Sequence, residues 1–189
     1  MKKSITYFLL GALTIGLFAF VSKENHSKNG FHDSFVETLK NAKAYTLEVA
    51  EKMPAEDYTF KPADSVRSFG EQMAHIGLST GFMNTMFIKG EKIEFDPAEG
   101  AKMEKMTGAS KEETIKVING SFDDLIATLE GMSDTDLQET FVFGFAPNKP
   151  ELTKEQGFLF IRDHITHHRG QAITTLRIKG YDAPSYRPF

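Results

Sequence analysis

Three of the six histidines in this sequence lie within five residues, at positions 164, 167 and 168. Residues four apart in an α-helix lie on one face, one turn from each other. His164 and His168 can therefore direct their imidazole rings to a single point, which is the arrangement that a helical metal site requires. His167 lies roughly 100° from His168 around the helix axis. We expect His167 to point behind the ligand pair or to the surface.

The same helix carries an apolar face, and the two histidines lie on it. On a helical wheel His168 falls near the middle of this face and His164 at its edge, whereas Asp163 points to solvent. Two adjacent buried imidazoles cost desolvation energy unless each finds a partner, and a shared cation satisfies both. The alternative is a pair of ordinary core histidines, each with its own hydrogen bond. The apolar positions of this face are Phe158, Ile161, Ile165, Ala172 and Leu176.

A third ligand must come from another part of the chain. The sequence contains no cysteine, so any metal is held by nitrogen and oxygen atoms. His75 borders the apolar stripe of a predicted second helix, between Met73 and Ile76. It is the natural third ligand if this helix and the last one are neighbours in a bundle.

The residues around the pair do not identify a general base. No glutamate stands between His164 and His168, so the zinc-peptidase pattern does not apply. Gln171 and Thr175 are predicted beside the ligands, where they can orient them or a water molecule. Arg169 either binds an anionic group or has a structural role, and we favour structural roles for Arg169 and Gln171.

The N-terminus predicts an export signal. Met1-Lys2-Lys3 precedes an apolar run from Ile5 to Val21, which is typical of a signal peptide or an uncleaved anchor over residues 1–22. Both predict an exported, periplasmic or extracytoplasmic protein, in contact with a membrane only through an uncleaved N-terminal segment. A buried core helix is the less favoured alternative. Residues 23–31 form a linker, and residues 32–189 form one domain of ordinary size.

The domain is predicted to be an all-α, four-helix bundle. Apolar residues recur at helical spacing in four segments, and three of these segments begin with a capping-box pattern. The segment from Glu91 to Thr107 is predicted to be a long loop with at most one short helical turn. Phe141 to Phe145 is an extended aromatic segment. The capping pairs are Ser68 with Glu71, Ser110 with Glu113, and Thr153 with Gln156.

These segments resemble the DinB (damage-inducible) family of DinB/YfiT-like metalloenzymes. The resemblance covers almost the whole domain and rests on the motifs FGEQMAHI at 69–76, DH at 163–164, HHRGQ at 167–171 and LRIKG at 176–180, followed by Pro184. It implies a four-helix bundle with one metal ion held by three histidines, which match His75, His164 and His168 here. It also implies hydrolase or thiol-transferase chemistry.

Three imidazoles suit one divalent ion such as zinc, nickel, iron or cobalt. Three protein ligands leave one position for water or substrate, which is typical of a catalytic site. We therefore expect a metal-dependent hydrolase or thiol-transferase-like enzyme acting on an unidentified small molecule. The alternative is a non-catalytic metal-binding or stress-related protein, whose site is closed by a fourth ligand from the segment between Glu91 and Thr107.

Composition excludes one class of partner. The formal net charge is −4, and no basic run is present to contact a phosphate backbone. We expect no nucleic-acid binding, and a homodimer is one possible assembly.

Overall fold

The computed structural model describes residues 30–187, which form six α-helices and one two-stranded sheet. The predicted leader over residues 1–22, and the linker before Gly30, lie outside this range. No helix within it is both long enough and apolar enough to cross a membrane. The helices are α1 (Phe31–Lys52), α2 (Phe69–Met83), α3 (Pro97–Gly108), α4 (Lys111–Glu130), α5 (Asp134–Leu137) and α6 (Lys154–Ile178).

Four long helices, α1, α2, α4 and α6, pack around one hydrophobic core. Each contributes side chains that are fully removed from solvent, and burial of such side chains is the main favourable term in folding. The prediction of a helical bundle is therefore confirmed. Its fully buried residues include Leu39 and Val49 of α1, Met73 and Ile76 of α2, Ile118 and Phe122 of α4, and Phe158 and Ile161 of α6.

Side-chain caps determine where the two site-bearing helices begin. At α2, Ser68 Oγ accepts the Glu71 backbone N–H at 3.1 Å, and the Glu71 carboxylate accepts the Ser68 backbone N–H at 2.7 Å. Thr153 and Gln156 form the same reciprocal box at α6. These two predicted boxes are confirmed. At α4 only the Ser110 half forms, at 3.2 Å from the Glu113 nitrogen.

The predicted loop from Glu91 to Thr107 is wrong, because Pro97–Gly108 forms helix α3. Asp96 caps this helix by accepting the Ala98 backbone N–H at 2.8 Å. Pro97 occupies the first turn, where a missing N–H costs nothing. The proline therefore begins a helix here. Helix α3 has no buried apolar stripe, since Met103 and Met106 are exposed.

Helix α3 is instead held against α2 by a close backbone contact. A Cβ at Gly70 would lie 1.9 Å from the Gly108 carbonyl oxygen, and a Cβ at Gly108 would lie 2.4 Å from the Glu71 nitrogen. Only a residue without a side chain allows this approach. The contact brings the inner face of α3, with Glu104, beside His75 of α2.

A short hairpin leads into α6. Strand β1 (Thr140–Val142) pairs antiparallel with β2 (Glu151–Thr153), with Phe141 opposite Leu152. The predicted extended aromatic segment thus begins in β1. Helix α2 ends in a five-residue π-helical turn, Asn84–Ile88, which presents Phe87 to this hairpin at 5.1 Å from the Phe141 ring.

Candidate metal site

Helices α2 and α6 bring His75, His164 and His168 together. One ring nitrogen of each lies within 4.8 Å of the others, and all three residues are half-buried. The ring centroid of His75 lies 5.1 Å from that of His164 and 4.3 Å from that of His168. These three histidines, predicted from two distant segments, form one group that can hold a metal ion.

The closest pair of nitrogens has a spacing suited to a shared cation. Nε2 of His75 lies 3.2 Å from Nε2 of His168. Two nitrogens at about 2.0–2.1 Å from one tetrahedral zinc ion are about 3.3–3.4 Å apart. This pair of nitrogens therefore fits such an ion, provided that both Nε2 atoms are unprotonated.

The other ring nitrogen of His75 is held by an acidic residue. Nδ1–H of His75 donates to the carboxylate of Glu104 at 2.6 Å, and Arg67 donates to the same carboxylate at 2.7 Å. Burial by itself raises the pKa of Glu104, but the hydrogen bonds from His75 and Arg67 outweigh it and hold that pKa below its ordinary value. The ionised carboxylate fixes the proton on Nδ1 and leaves Nε2 free to bind a metal.

His164 is oriented through a serine on α2. The Ser79 hydroxyl donates its hydrogen to the His75 carbonyl oxygen at 2.5 Å, so its lone pairs remain available to accept Nδ1–H of His164, 3.4 Å away. Accepting this proton leaves Nε2 of His164 unprotonated.

His168 is oriented through a buried glutamine. The side-chain amide nitrogen of Gln72 lies 2.6 Å from Nδ1 of His168 and 3.4 Å from the His168 carbonyl oxygen. The two ends of an amide have nearly the same shape, so the oxygen can face Nδ1 and accept its proton. In that orientation the Nε2 of His168 is also unprotonated. All three rings then have a polar partner at Nδ1.

Two of the imidazoles are kept neutral by their surroundings. Burial, followed by the proximity of His75, lowers the pKa of His164 to about 4 and that of His168 to about 3. A metal ligand must be deprotonated, so low pKa values remove the competition from protons near neutral pH.

Comparison with known families agrees with this geometry. The sequence pattern of the DinB superfamily matches residues 38–172, which is most of the chain. The chain belongs to the DinB superfamily. No curated protein sequence matches it closely enough to add an activity.

Solved structures have the same fold as this superfamily member. A DinB-like protein from Bacillus cereus is 16% identical, with a TM-score of 0.67 over 82% of this chain and 97% of that one. A DinB-like protein from Bacillus subtilis is 18% identical, with a TM-score of 0.61 over 82% and 98%. YfiT from Bacillus subtilis, described as a probable metal-dependent hydrolase with an unusual four-helix bundle topology, is 15% identical, with a TM-score of 0.65 over 80% and 89%.

The side chains of the other polar residues of α6 in this DinB-superfamily protein form their hydrogen bonds outside the histidine group. His167 is exposed, and its Nε2 lies 2.9 Å from the side-chain amide of Gln171, for which a structural role was favoured above. Asp163 is exposed, as predicted. Arg169 is buried against α1, where its guanidinium covers the Tyr45 ring at 4.6 Å, in agreement with the structural role favoured above.

Sequence reasoning missed Gln72, Ser79, Arg67 and Glu104. Gln72 and Ser79 stand three residues before and four residues after His75, so helical spacing could have found them. Glu104 carries no such signal, because it reaches His75 through the packing of α3 on α2. Arg67 lies just before the cap of α2, outside the helical spacing that would connect it to His75. Glu104 lies between Glu91 and Thr107, the segment expected to supply a fourth metal ligand if the protein is not an enzyme. Its carboxylate instead contacts Nδ1 of His75.

No fourth metal-ligating residue joins the group within residues 30–187. A groove of about 770 Å³ lies on the Nδ1 side of the rings and is lined by Arg67, Gln72 and Glu104, among others. None of the three histidines lines it. The groove therefore borders the residues that orient His75 and His168, and not the histidine rings themselves.

Proposed function

We propose that this protein is a metal-dependent hydrolase whose divalent ion is held by His75, His164 and His168. One observation carries the proposal: each Nδ1 has a polar partner, which leaves the Nε2 atoms of three rings for a cation. Two further features support it. The pKa values of His164 and His168 are low, and YfiT, which has the same fold, is described as a probable metal-dependent hydrolase.

When bound, a divalent ion supplies Lewis-acid chemistry and lowers the pKa of a coordinated water or thiol. The chain's own residues supply the rest. Glu104, Gln72 and Ser79 hold the rings in the tautomer that binds metal. Glu104 is already engaged by His75 and Arg67, so it is poorly available as a general base. Within residues 30–187 no fourth protein ligand joins the histidine group, so one coordination position is not taken by the protein.

An open coordination position favours an enzyme over a structural or storage site, which is usually closed by a fourth protein ligand. We favour hydrolysis over thiol transfer because the N-terminal sequence predicts export, away from the mainly cytoplasmic low-molecular-weight thiols. Zinc, nickel and iron are the candidate ions, since all three accept imidazole nitrogen. Export itself stays a prediction.

The test is metal content followed by activity. The chain is purified after growth with zinc, nickel and iron, and its metal is measured by mass spectrometry, alongside His75→Ala, His164→Ala, His168→Ala and the control His167→Ala. We expect one equivalent in the unmodified chain and the control, and its loss from the other three. Unmodified protein without metal would overturn the site.

Hydrolysis is tested separately on activated 4-nitrophenyl esters. We expect turnover that disappears with a chelator and in His164→Ala, and that is retained in His167→Ala. Turnover that persists in both would assign the activity to another part of the protein.

A further inference from the structure

A row of five phenylalanines extends from the histidine group and forms what we call the aromatic wall. Neighbouring rings are in contact along the row: Phe82 and Phe95 at 5.3 Å, Phe95 and Phe145 at 5.5 Å, Phe145 and Phe143 at 5.9 Å, and Phe143 and Phe160 at 4.8 Å. The rings come from α2, from the segment before α3, from the hairpin and from α6. Four separate segments thus converge on one apolar surface.

The wall meets the histidine group at both helices. Phe160 stands one turn before His164 on α6, and their ring centroids are 6.2 Å apart. On α2, Phe82 stands three residues after Ser79, the partner of His164. On each helix, a phenylalanine therefore lies within one turn of a polar site residue. Both phenylalanines lie on the same side of the histidine group.

The outer rings of the wall are open to solvent. Phe95 is 52% exposed and Phe145 is 49% exposed. The hairpin has a further aromatic contact, because Phe87, which is almost fully buried, stacks on Phe141 at 5.1 Å. A contiguous exposed apolar surface is uncommon unless it binds something.

The wall carries no charge, in contrast to the groove on the Nδ1 side, where Lys61, Arg67 and Glu104 supply charged groups. The wall, and not the groove, lies against a histidine ring. A molecule that reached the Nε2 atoms of the group would therefore have an apolar surface beside it.

We propose that the substrate of this site carries an aryl or alkyl group that packs on the aromatic wall while its polar reacting group lies at the three histidines. This inference rests on the proposed function, because it assigns the substrate class of the same site. Phe160 and Phe143 form the inner part of this subsite, and Phe95 and Phe145 form its open end.

The test uses hydroxamic acids, which bind metal ions through one head group and can carry different tails. Binding of acetohydroxamate and octanohydroxamate to the zinc-loaded chain is measured by calorimetry, with the metal-free chain as a blank. We expect octanohydroxamate to bind at least about tenfold more tightly, because its tail is transferred from water to an apolar surface. The ratio should fall to about threefold or less in the double variant Phe95→Ala/Phe145→Ala.

Both substituted rings are half-exposed, so their removal should leave the fold intact, as the thermal midpoint will show. Leu159→Ala is the matched control, since Leu159 is a similarly exposed apolar residue on α6 outside the wall. Equal binding of the two hydroxamates, or an unchanged ratio in the double variant, would overturn the wall as a subsite. If neither hydroxamate binds the zinc-loaded chain, the open metal site of the proposed function fails as well.

Discussion

The carboxylate of Glu104 lies 2.6 Å from Nδ1 of His75, across the contact between α3 and α2. This bond connects a predicted metal ligand to a helix that sequence patterns did not predict. Carboxylate partners of this kind orient a ligating imidazole and raise its basicity. The metal site therefore depends on α3 although none of its three histidines lies there.

We predict that Glu104→Gln weakens metal binding about 10- to 100-fold, the usual effect of losing such a partner. The neutral amide keeps the size of the side chain but loses the charge that stabilises the Nδ1–H tautomer of His75. Affinity is measured by zinc competition with a chromophoric chelator. Glu99→Gln is the control, because Glu99 is an exposed residue of α3 that pairs only with Lys102 among the described residues. Equal affinities of Glu104→Gln and the unmodified chain would exclude this role.

The ligand histidines were within reach of sequence reasoning because helical periodicity is local. The four-residue spacing of His164 and His168 indicates one face of a helix, whatever the fold. His75 needed one further assumption, that the second and last helices are neighbours. The structure supports that assumption, since Nε2 of His75 lies 3.2 Å from Nε2 of His168.

The roles of Glu104 and the aromatic wall could not be predicted from the sequence, because tertiary packing creates both. Helix α3 has no buried apolar stripe. It is held by the Gly70–Gly108 contact and by the ion pair between Arg67 and Glu104, and neither produces a periodic sequence pattern. The rings of Phe95 and Phe145 belong to segments 50 residues apart in the sequence, and only the folded chain brings them within 5.5 Å. Residues joined by tertiary packing alone give no local signal.

The glycine contact can be tested directly. Gly70→Ala would place a methyl group 1.9 Å from the Gly108 carbonyl oxygen, and neither backbone can move without separating α3 from α2. We expect the free energy of unfolding to fall by about 3 kcal/mol, at the upper end of overpacking effects. Metal affinity should fall with it, because Glu104 would move away from His75. Urea unfolding and zinc competition measure the two effects.

The matched control is Gly100→Ala in α3, where the added methyl group meets no atom within 4 Å beyond the local helix backbone. This change should raise the free energy of unfolding by about 0.5–1 kcal/mol, because alanine loses less backbone freedom in a helix than glycine. A Gly70→Ala chain as stable as the unmodified one would contradict the close contact.

Substitution of Arg169 tests whether the cation that follows His168 on α6 binds substrate or supports the fold. Its guanidinium donates to the Thr46 hydroxyl at 3.2 Å and to the Ala42 carbonyl at 3.3 Å, and it covers the Tyr45 ring. We predict that Arg169→Met lowers the free energy of unfolding by about 2–4 kcal/mol through these lost contacts. Zinc affinity should stay within about twofold, because no contact reaches the histidine group.

Arg177→Met is the control for Arg169, since Arg177 is an exposed residue of the same helix. Its substitution should leave the urea midpoint within experimental error. A large loss of zinc affinity in Arg169→Met, with little loss of stability, would indicate a direct role at the site.

The low pKa values of two ligands predict how the metal-free protein responds to pH. In the folded chain the pKa of His164 is lowered to about 4 and that of His168 to about 3, whereas both are near 6.5 in the unfolded chain. Below pH 6.5 the unfolded chain therefore binds protons that the folded chain does not. The contribution of these two histidines to the free energy of unfolding is fully present above pH 6.5. It is lost as the pH falls through the folded pKa values of about 4 and 3.

Urea midpoints measured in EDTA between pH 7.5 and 5 test this dependence before most carboxylates begin to titrate. The double variant His164→Gln/His168→Gln lacks both groups, so its midpoint should depend less on pH than that of the unmodified chain. His167→Gln should keep most of the slope, because burial and the proximity of His75 lower the two pKa values more than His167 does. Parallel slopes in all three proteins would mean that folding does not exclude protons from His164 and His168, and that burial does not prepare these rings for a metal.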